Sequence, residues 1–367
     1  MCTQSFVRGL VPLAFYGALA AQGVVVPALP GVDAPARAEF AGVTHAQRQQ
    51  VLVAGRHLLG LRGTPLRALV VRRDPGAAGS LRGGAVELEV ALSTSPADPD
   101  APAEAFAANQ GPDRRVVFQG VVNVPDAPAP GASVDPWGAA STVRVDFATP
   151  FPYAGGTLCL DLSGRPLAGS ASPYWPVDAW FTPGDGRVEP IGAGCARLQH
   201  DGADAGGWAS TLRPGASAVF EAFAQPGASG FLLLGAQALP GGLDLGAVGM
   251  AGCRLWVDPV LVLGATFAPL PQPFAVAQAS VAVLVPKDPI LLGAVLHAQW
   301  LEVELALPPR QWSTPAGFAL SGAVRATLAS QATTAGMAMV VADWQPPAPP
   351  PALGLVQPAL APVLWFP

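Results

Sequence analysis

The sequence is poor in charge, in lysine and in stretches free of glycine and proline. Charged residues make up 12% of the 367 positions, against roughly 25% in a typical soluble domain, and Lys287 is the single lysine. The net charge is −5 and no basic cluster is interleaved with aromatic residues, which argues against nucleic-acid binding. Because 42 glycines and 41 prolines interrupt the chain too often for long helices, the composition favours short strands joined by turns.

Histidine and cysteine are also scarce, with four of each. His45, His57, His200 and His297 do not have the spacing of a zinc-binding helix, and Cys-x-x-Cys is absent. The Gly-x-Ser-x-Gly pentapeptide of serine hydrolases is absent too, and its nearest approach, at Ser229, is interpreted as a turn before a strand. We therefore predict no catalytic residue, no metal and no cofactor.

One short acidic segment, Asp98-Pro99-Asp100 with Glu104 following, has the side chains that Ca²⁺ prefers. Calcium needs six or more oxygen ligands, and the spacing of an EF-hand loop is absent. We interpret the segment as an acidic surface loop.

The N-terminus has the features of a secretory signal peptide. Arg8 precedes an apolar stretch over residues 9–19, and Ala18 and Ala20 supply small residues at a cleavage site before Ala21. No later segment combines the length and the freedom from proline that a membrane-spanning helix requires. We expect cleavage after residue 20 and a protein that is secreted or held in the cell envelope, periplasmic or extracellular, with no membrane span.

Strict alternation of apolar and polar residues predicts half-buried strands at residues 86–93, 142–147, 157–162 and 301–307. In the last of these segments the pattern predicts that the leucines face a core and that Glu302 and Glu304 face solvent. A short helix is predicted over residues 45–51.

The fold class predicted is all-β, with two antiparallel β-sandwich domains that are jelly-roll-like. Residues 1–20 are the signal peptide, residues 21–189 the first sandwich and residues 190–330 the second. Residues 331–367 are rich in alanine and proline, which favours an extended tail outside any sheet.

Both blocks contain short phrases in a recognisable order. In the first block they are Arg48-Gln49-Gln50-Val51, Val71-Arg72-Arg73-Asp74, Leu92-Ser93-Thr94-Ser95, Phe106-Ala107-Ala108-Asn109, Val117-Phe118-Gln119-Gly120 and Thr149-Pro150-Phe151-Pro152-Tyr153. Those in the second are Leu233-Leu234-Gly235-Ala236, Gly249-Met250-Ala251-Gly252-Cys253 and Pro286-Lys287-Asp288-Pro289. In these phrases the chain resembles uncharacterised exported β-rich proteins of planctomycete-type bacteria. The resemblance implies export and β-sandwich folds, and it implies no activity.

Signal cleavage would leave Cys159, Cys195 and Cys253, which suggests one disulfide and one thiol in an oxidising compartment. We favour Cys195–Cys253, because both lie in the second block and a bridge within one domain is easier to form. The pair Cys159–Cys195 remains the alternative.

Four aromatic residues that we expect to be exposed in loops at the end of a sandwich, Trp137, Tyr174, Trp175 and Trp180, could stack on sugar rings. We favour the alternative interpretation, that they fill an interface between the domains. The leading functional hypothesis is a non-enzymatic exported protein with a structural or adhesive role. A pair of carbohydrate-binding modules comes second and an extracellular hydrolase third, with polysaccharide or envelope proteins as expected partners.

Overall fold

The structure, a computed structural model, describes residues 23–27, 34, 36–129, 131, 134–169, 175–182, 184–195, 212–269, 277–331 and 335–367. Strands account for 53% of it and helices for 6%. Every strand pair in these ranges is antiparallel. The prediction of an all-β fold is confirmed, while the signal peptide and Tyr174 lie outside the described residues.

The strands that build the first hydrophobic core come from both ends of the chain. They are β1 (Val24–Val26), β2 (Ala36–Glu39), β3 (Gln47–Val53), β4 (Pro65–Arg72), β5 (Gly84–Ser95), β6 (Arg115–Val124), β7 (Thr142–Pro152), β8 (Thr157–Pro166), β9 (Pro176–Phe181) and, near the C-terminus, β20 (Met337–Asp343), β21 (Leu355–Pro358), β22 (Leu360–Pro362) and β23 (Leu364–Phe366). One short helix, α1 (Phe106–Asn109), precedes β6.

The strands that lie between the N-terminal and C-terminal groups in the sequence form the remaining sheets. They are β10 (Arg187–Ile191), β11 (Ser217–Ala224), β12 (Ser229–Gly235), β13 (Gln237–Asp244), β14 (Arg254–Asp258), β15 (Leu261–Thr266), β16 (Ala268–Pro269), β17 (Ala277–Leu284), β18 (Val295–Val303) and β19 (Phe318–Thr327). Single turns of 3₁₀-helix lie at Gly55–His57, Leu59–Leu61, Gly246–Val248, Pro289–Leu291 and Pro309–Gln311.

Three sheets meet around the first core. They have the orders β21-β20-β3-β8-β5-β6, β1-β23-β4-β7 and β2-β9-β22. The alternation predicted for β5 holds: Val86, Leu88, Val90 and Leu92 are buried in this core. The glutamates between them therefore project from the opposite, outer face of the six-stranded sheet.

The C-terminal residues are not an extended tail outside the sheets. β20 pairs with β3 on one side and β21 on the other, and β23 lies between β1 and β4. The prolines are tolerated because they cluster in the loop after β20 or end short strands, such as Pro362 on the edge strand β22. Alternating apolar residues in β20, Met337 and Met339, belong to the first core, so this core is assembled from distant parts of the sequence.

The second core lies between the sheets β10-β19-β18-β12-β15 and β11-β17-β16. The border predicted at residues 189 and 190 falls inside β10, which pairs with β19. The hairpin of β13 and β14 lies against β18, because the Gln299 amide donates to the Arg254 carbonyl at 2.9 Å and accepts from the Trp256 amide at 2.9 Å.

Two sequence-based details are wrong. Residues 47–53 form a strand, because β8 and β20 flank this segment and pair with it, and not part of a helix. Glu302 and Glu304 are buried, at 3% and 1% exposure, because Trp300 takes the core side of β18 and places Glu302 on the same face. The Glu304 carboxylate is satisfied there by the amide and hydroxyl of Ser313.

Polar contacts join the parts of the chain that build the two cores. The Lys287 ammonium, from the second-core part of the chain, donates to Asp98 Oδ2 at 2.8 Å. Within the first-core part, the Gly336 amide donates to Asp100 Oδ1 at 2.7 Å. Two carboxylates of the acidic loop considered for calcium therefore accept hydrogen bonds from an ammonium group and a backbone amide. The Arg213 guanidinium also donates to the Thr182 carbonyl at 3.0 Å.

Candidate functional site

A groove of about 560 Å³ runs over the outer face of the six-stranded sheet. Its floor is formed by β5, β6 and β8, and its wall by the proline-rich segment that follows β20. The lining residues are Glu87, Leu88, Glu89, Gln119, Gly120, Val121, Ser163, Gly164, Arg165, Trp344, Pro346, Pro347, Ala348, Pro349 and Pro350.

Strand register sets the polar side chains of the floor in two rows. Glu89 of β5 lies opposite Gln119 of β6 on one side and Ser163 of β8 on the other. Glu87, two residues earlier on the same face, lies opposite Arg165 of β8. The alternation that buries the valines and leucines of β5 thus also presents carboxylate, amide, hydroxyl and guanidinium groups side by side.

Ion pairs orient the two carboxylates of the floor. The Arg165 Nε atom donates to Glu87 Oε2 at 2.6 Å, and Arg114 Nη2 lies 3.3 Å from Glu89 Oε1. All four side chains are more than a third exposed, so these pairs add little to stability. Each carboxylate keeps oxygen lone pairs that can accept hydrogen bonds from a ligand.

A buried polar network holds the far end of the wall. Arg48 donates to the Pro351 carbonyl at 3.0 Å and to both oxygens of Asp161, at 3.1 and 2.8 Å. Its guanidinium carbon also stacks 4.3 Å from the centre of the Phe106 ring, and Gln110 donates to Asp161. Because Asp161 is only 5% exposed, this anchor is shielded from water.

The near end of the wall is fixed at Trp344. The Trp344 amide donates to the Ala46 carbonyl at 3.0 Å. The preceding residue, Asp343, accepts from His45 Nε2 at 2.8 Å and from the Gln47 amide at 2.9 Å. Hydrogen bonding to Asp343 raises the pKa of His45 against the opposing effect of burial. The partly exposed indole is therefore held at the rim of the groove.

Of the aromatic residues singled out from the sequence, the three that the structure describes do not form an exposed row. Trp175 is fully buried in the first core and donates to the Pro125 carbonyl at 3.1 Å. Trp180 packs against the same core. Trp137 lies edge-on to Trp365, with ring centres 5.5 Å apart, and under the Arg72 guanidinium. Trp175 fills the first core and not an interface between domains, which corrects the favoured interpretation of that residue.

The cysteines are arranged as the sequence analysis favoured. Cys195 and Cys253 are bonded, with their Cα atoms 4.8 Å apart, and Cys253 is buried beside Met250 and Leu320. Cys159 lies in β8 with a free, buried thiol. Burial, followed by the charge of Asp161, raises the pKa of this thiol to about 12, so it stays protonated at neutral pH.

Other features bear on the chemistry available. Across the described ranges, no three His, Cys, Asp or Glu side chains come together as metal ligands could. In the same part of the chain, no helix is long and apolar enough to cross a membrane. Ser229 begins β12, a position without the strand-to-helix turn of a hydrolase nucleophile.

Comparison with protein-family models, with curated proteins and with solved structures found no match.

Proposed function

We propose that the protein is a non-enzymatic exported binding protein that holds a carbohydrate chain in the groove over β5, β6 and β8. Attachment to a polysaccharide through this groove would give it an adhesive role at the cell envelope or outside the cell. The observation that carries the proposal is the pairing of two polar rows on a rigid sheet with a wall of tryptophan and proline.

The chemistry of the groove suits sugars. Sugar hydroxyls both donate and accept, and the rows around Glu87 and Glu89 offer acceptors, donors and one hydroxyl at strand spacing. The apolar faces of sugar rings pack on aromatic and proline surfaces, which Trp344 and its following prolines supply. A polyanion is a poor fit, because two carboxylates line the floor and the chain carries a net charge of −5.

Export is supported by independent features. A disulfide such as Cys195–Cys253 persists in oxidising compartments and is rare in the cytosol. The signal-peptide features of residues 1–20 and the resemblance to exported β-rich proteins agree with this location.

A glycan array probed with the secreted, disulfide-bonded chain tests the proposal. We expect binding to one class of oligosaccharide, and calorimetry with that sugar should give a saturable affinity. Glu89→Gln and Trp344→Ala should each weaken it about tenfold, the effect of roughly 1.4 kcal/mol. Asp146→Asn, a matched change to an exposed carboxylate on β7, should leave the affinity unchanged.

Three results would count against the proposal. The absence of binding to any glycan on the array would contradict the proposed carbohydrate binding. Equal affinities of Glu89→Gln, Trp344→Ala and the unaltered chain would place sugar binding outside the groove. New reducing ends after incubation with the bound sugar would contradict the non-enzymatic part and favour a hydrolase.

A further inference from the structure

A second cleft, of about 650 Å³, lies on the outer face of the five-stranded sheet, the face turned away from the second core, and on different strands from the groove. Strand register places three polar residues in one row across it. Glu189 of β10 lies opposite Arg325 of β19, which lies opposite His297 of β18. All three line the cleft, together with Pro190, Ile191, Ala238 and Val295.

Arg325 is the cation of this row, and its donors are incompletely used. Its Nη1 atom lies 3.7 Å from Glu189 Oε2, which is longer than a hydrogen bond. Glu189 is shared with Arg187, whose Nε atom lies 3.6 Å from Oε1. Two guanidinium groups thus share one carboxylate, so Arg187, Glu189 and Arg325 together carry one net positive charge on a chain whose net charge is negative.

His297 gives the row a neutral, buried polar group. The residue is only 8% exposed, and its Nδ1 atom is buried with no hydrogen-bond partner in the described residues. Burial lowers the pKa of His297, and the charge of Arg325 lowers it further against a hydrogen bond with the backbone of Ala236. A neutral imidazole adds no second charge beside Arg325.

We propose that this cleft binds the carboxylate of a small organic acid with an apolar body, with Arg325 holding the carboxylate beside His297. A guanidinium with free N–H groups matches a carboxylate in charge and in planar geometry. The remaining walls, Pro190, Ile191, Ala238 and Val295, suit a hydrocarbon or aromatic body, and the volume is in the range of small-molecule sites. The site is independent of the carbohydrate groove.

The test uses the secreted, full-length disulfide-bonded chain with benzoate and hexanoate as acids, and with benzyl alcohol and benzylamine as neutral and cationic controls. We expect saturable binding of the acids by calorimetry, with the alcohol and the amine about tenfold weaker or undetectable. The imidazole NMR signals of His297 should shift with the same titration curve. Arg325→Gln should weaken benzoate about tenfold, and the matched change Arg187→Gln, outside the lining, should weaken it less.

Two results would overturn the proposal. One is the absence of saturable binding of either acid up to about 10 mM, a concentration that detects even millimolar affinity. The other is equal binding of benzoate and benzyl alcohol, which would make the cleft a merely apolar pocket. Because this comparison uses the unaltered chain, it decides the question even if a variant fails to fold.

Discussion

His45 Nε2 lies 2.8 Å from Asp343 Oδ1 and so joins the chain before β3 to the end of β20, one residue from Trp344 at the rim of the groove. The two residues are far apart in sequence, and their contact links the N-terminal part of the first core to its C-terminal strands. The histidine of this contact has a pKa raised above the ordinary value, chiefly by the hydrogen bond to Asp343.

The His45–Asp343 pair should make stability depend on pH. The pKa of His45 is raised above its ordinary value of 6.5, so its contribution is complete below pH 6.5 and is lost as the pH rises through the folded pKa. Burial acts to raise the pKa of Asp343, but hydrogen bonds from His45 and Gln47 outweigh it and hold the pKa below 3.8. Its contribution is therefore present above pH 3.8 and is lost as the pH falls through the folded pKa.

Denaturant unfolding of the unaltered chain and His45→Gln measures this effect. Since both side chains are more than a third exposed, we expect the difference in unfolding free energy to stay under about 1 kcal/mol. It should be larger at pH 5.5 than at pH 8.5. A difference that is the same at both values, or larger at pH 8.5, would show that the pair does not titrate as described.

Two leucines of the C-terminal segment provide a matched test of its place in the first core. Leu364 of β23 is 1% exposed, and Leu353, in the loop between β20 and β21, is 61% exposed. Leu364→Ala should lower the unfolding free energy by about 2–5 kcal/mol, because it opens a cavity in the core. Leu353→Ala should change it by less than about 0.5 kcal/mol. Equal, small effects of the two substitutions in thermal or denaturant unfolding would show that the C-terminal segment does not pack in the first core.

The ion pair of Arg72 and Asp178 lies in the first core, where the side chains are 3% and 0% exposed. Arg72→Met should lower the unfolding free energy by about 3–5 kcal/mol, because it leaves a buried carboxylate without its cation. The control, Arg144→Met, breaks a pair that is 51% and 70% exposed and should cost less than about 1 kcal/mol. Denaturant unfolding of both variants compares them, and similar costs would mean that burial does not govern these pairs.

The cysteines make a chemical prediction. Non-reducing peptide mapping should recover a peptide that joins Cys195 to Cys253, with Cys159 unlinked. Iodoacetamide should modify Cys159 only after denaturation, because the thiol is buried and its pKa is about 12. The chain-entropy model gives the bridge about 4 kcal/mol of stabilisation for its separation of 58 residues. A peptide joining Cys159 to Cys195, or rapid labelling of the native chain, would contradict the arrangement.

The strands could be predicted where one face of a segment is buried. Val86 to Leu92 alternate with glutamates, and this pattern alone places β5 and the orientation of Glu87 and Glu89. The same logic failed at β18, because the pattern of leucines does not reveal that Trp300 takes the core side and draws Glu302 inward.

The groove could not be predicted because its wall is distant in sequence from its floor. Trp344 stands in a proline-rich stretch whose composition indicates a tail, whereas the burial of Met337 and Met339 is decided by pairing with β3. A buried anchor such as Arg48, which reaches the Pro351 carbonyl, has no local signal in the sequence either. Local patterns can identify a strand, but here they do not identify what packs on its outer face.

A crystal structure of the disulfide-bonded chain with the best oligosaccharide from the glycan array tests the central proposal most directly. We expect the sugar to lie over β5, β6 and β8, with hydroxyls hydrogen-bonded to Glu89 and Gln119 and one ring against Trp344. A sugar bound elsewhere on the protein, with this groove filled only by water, would contradict the assignment of the groove as the binding site.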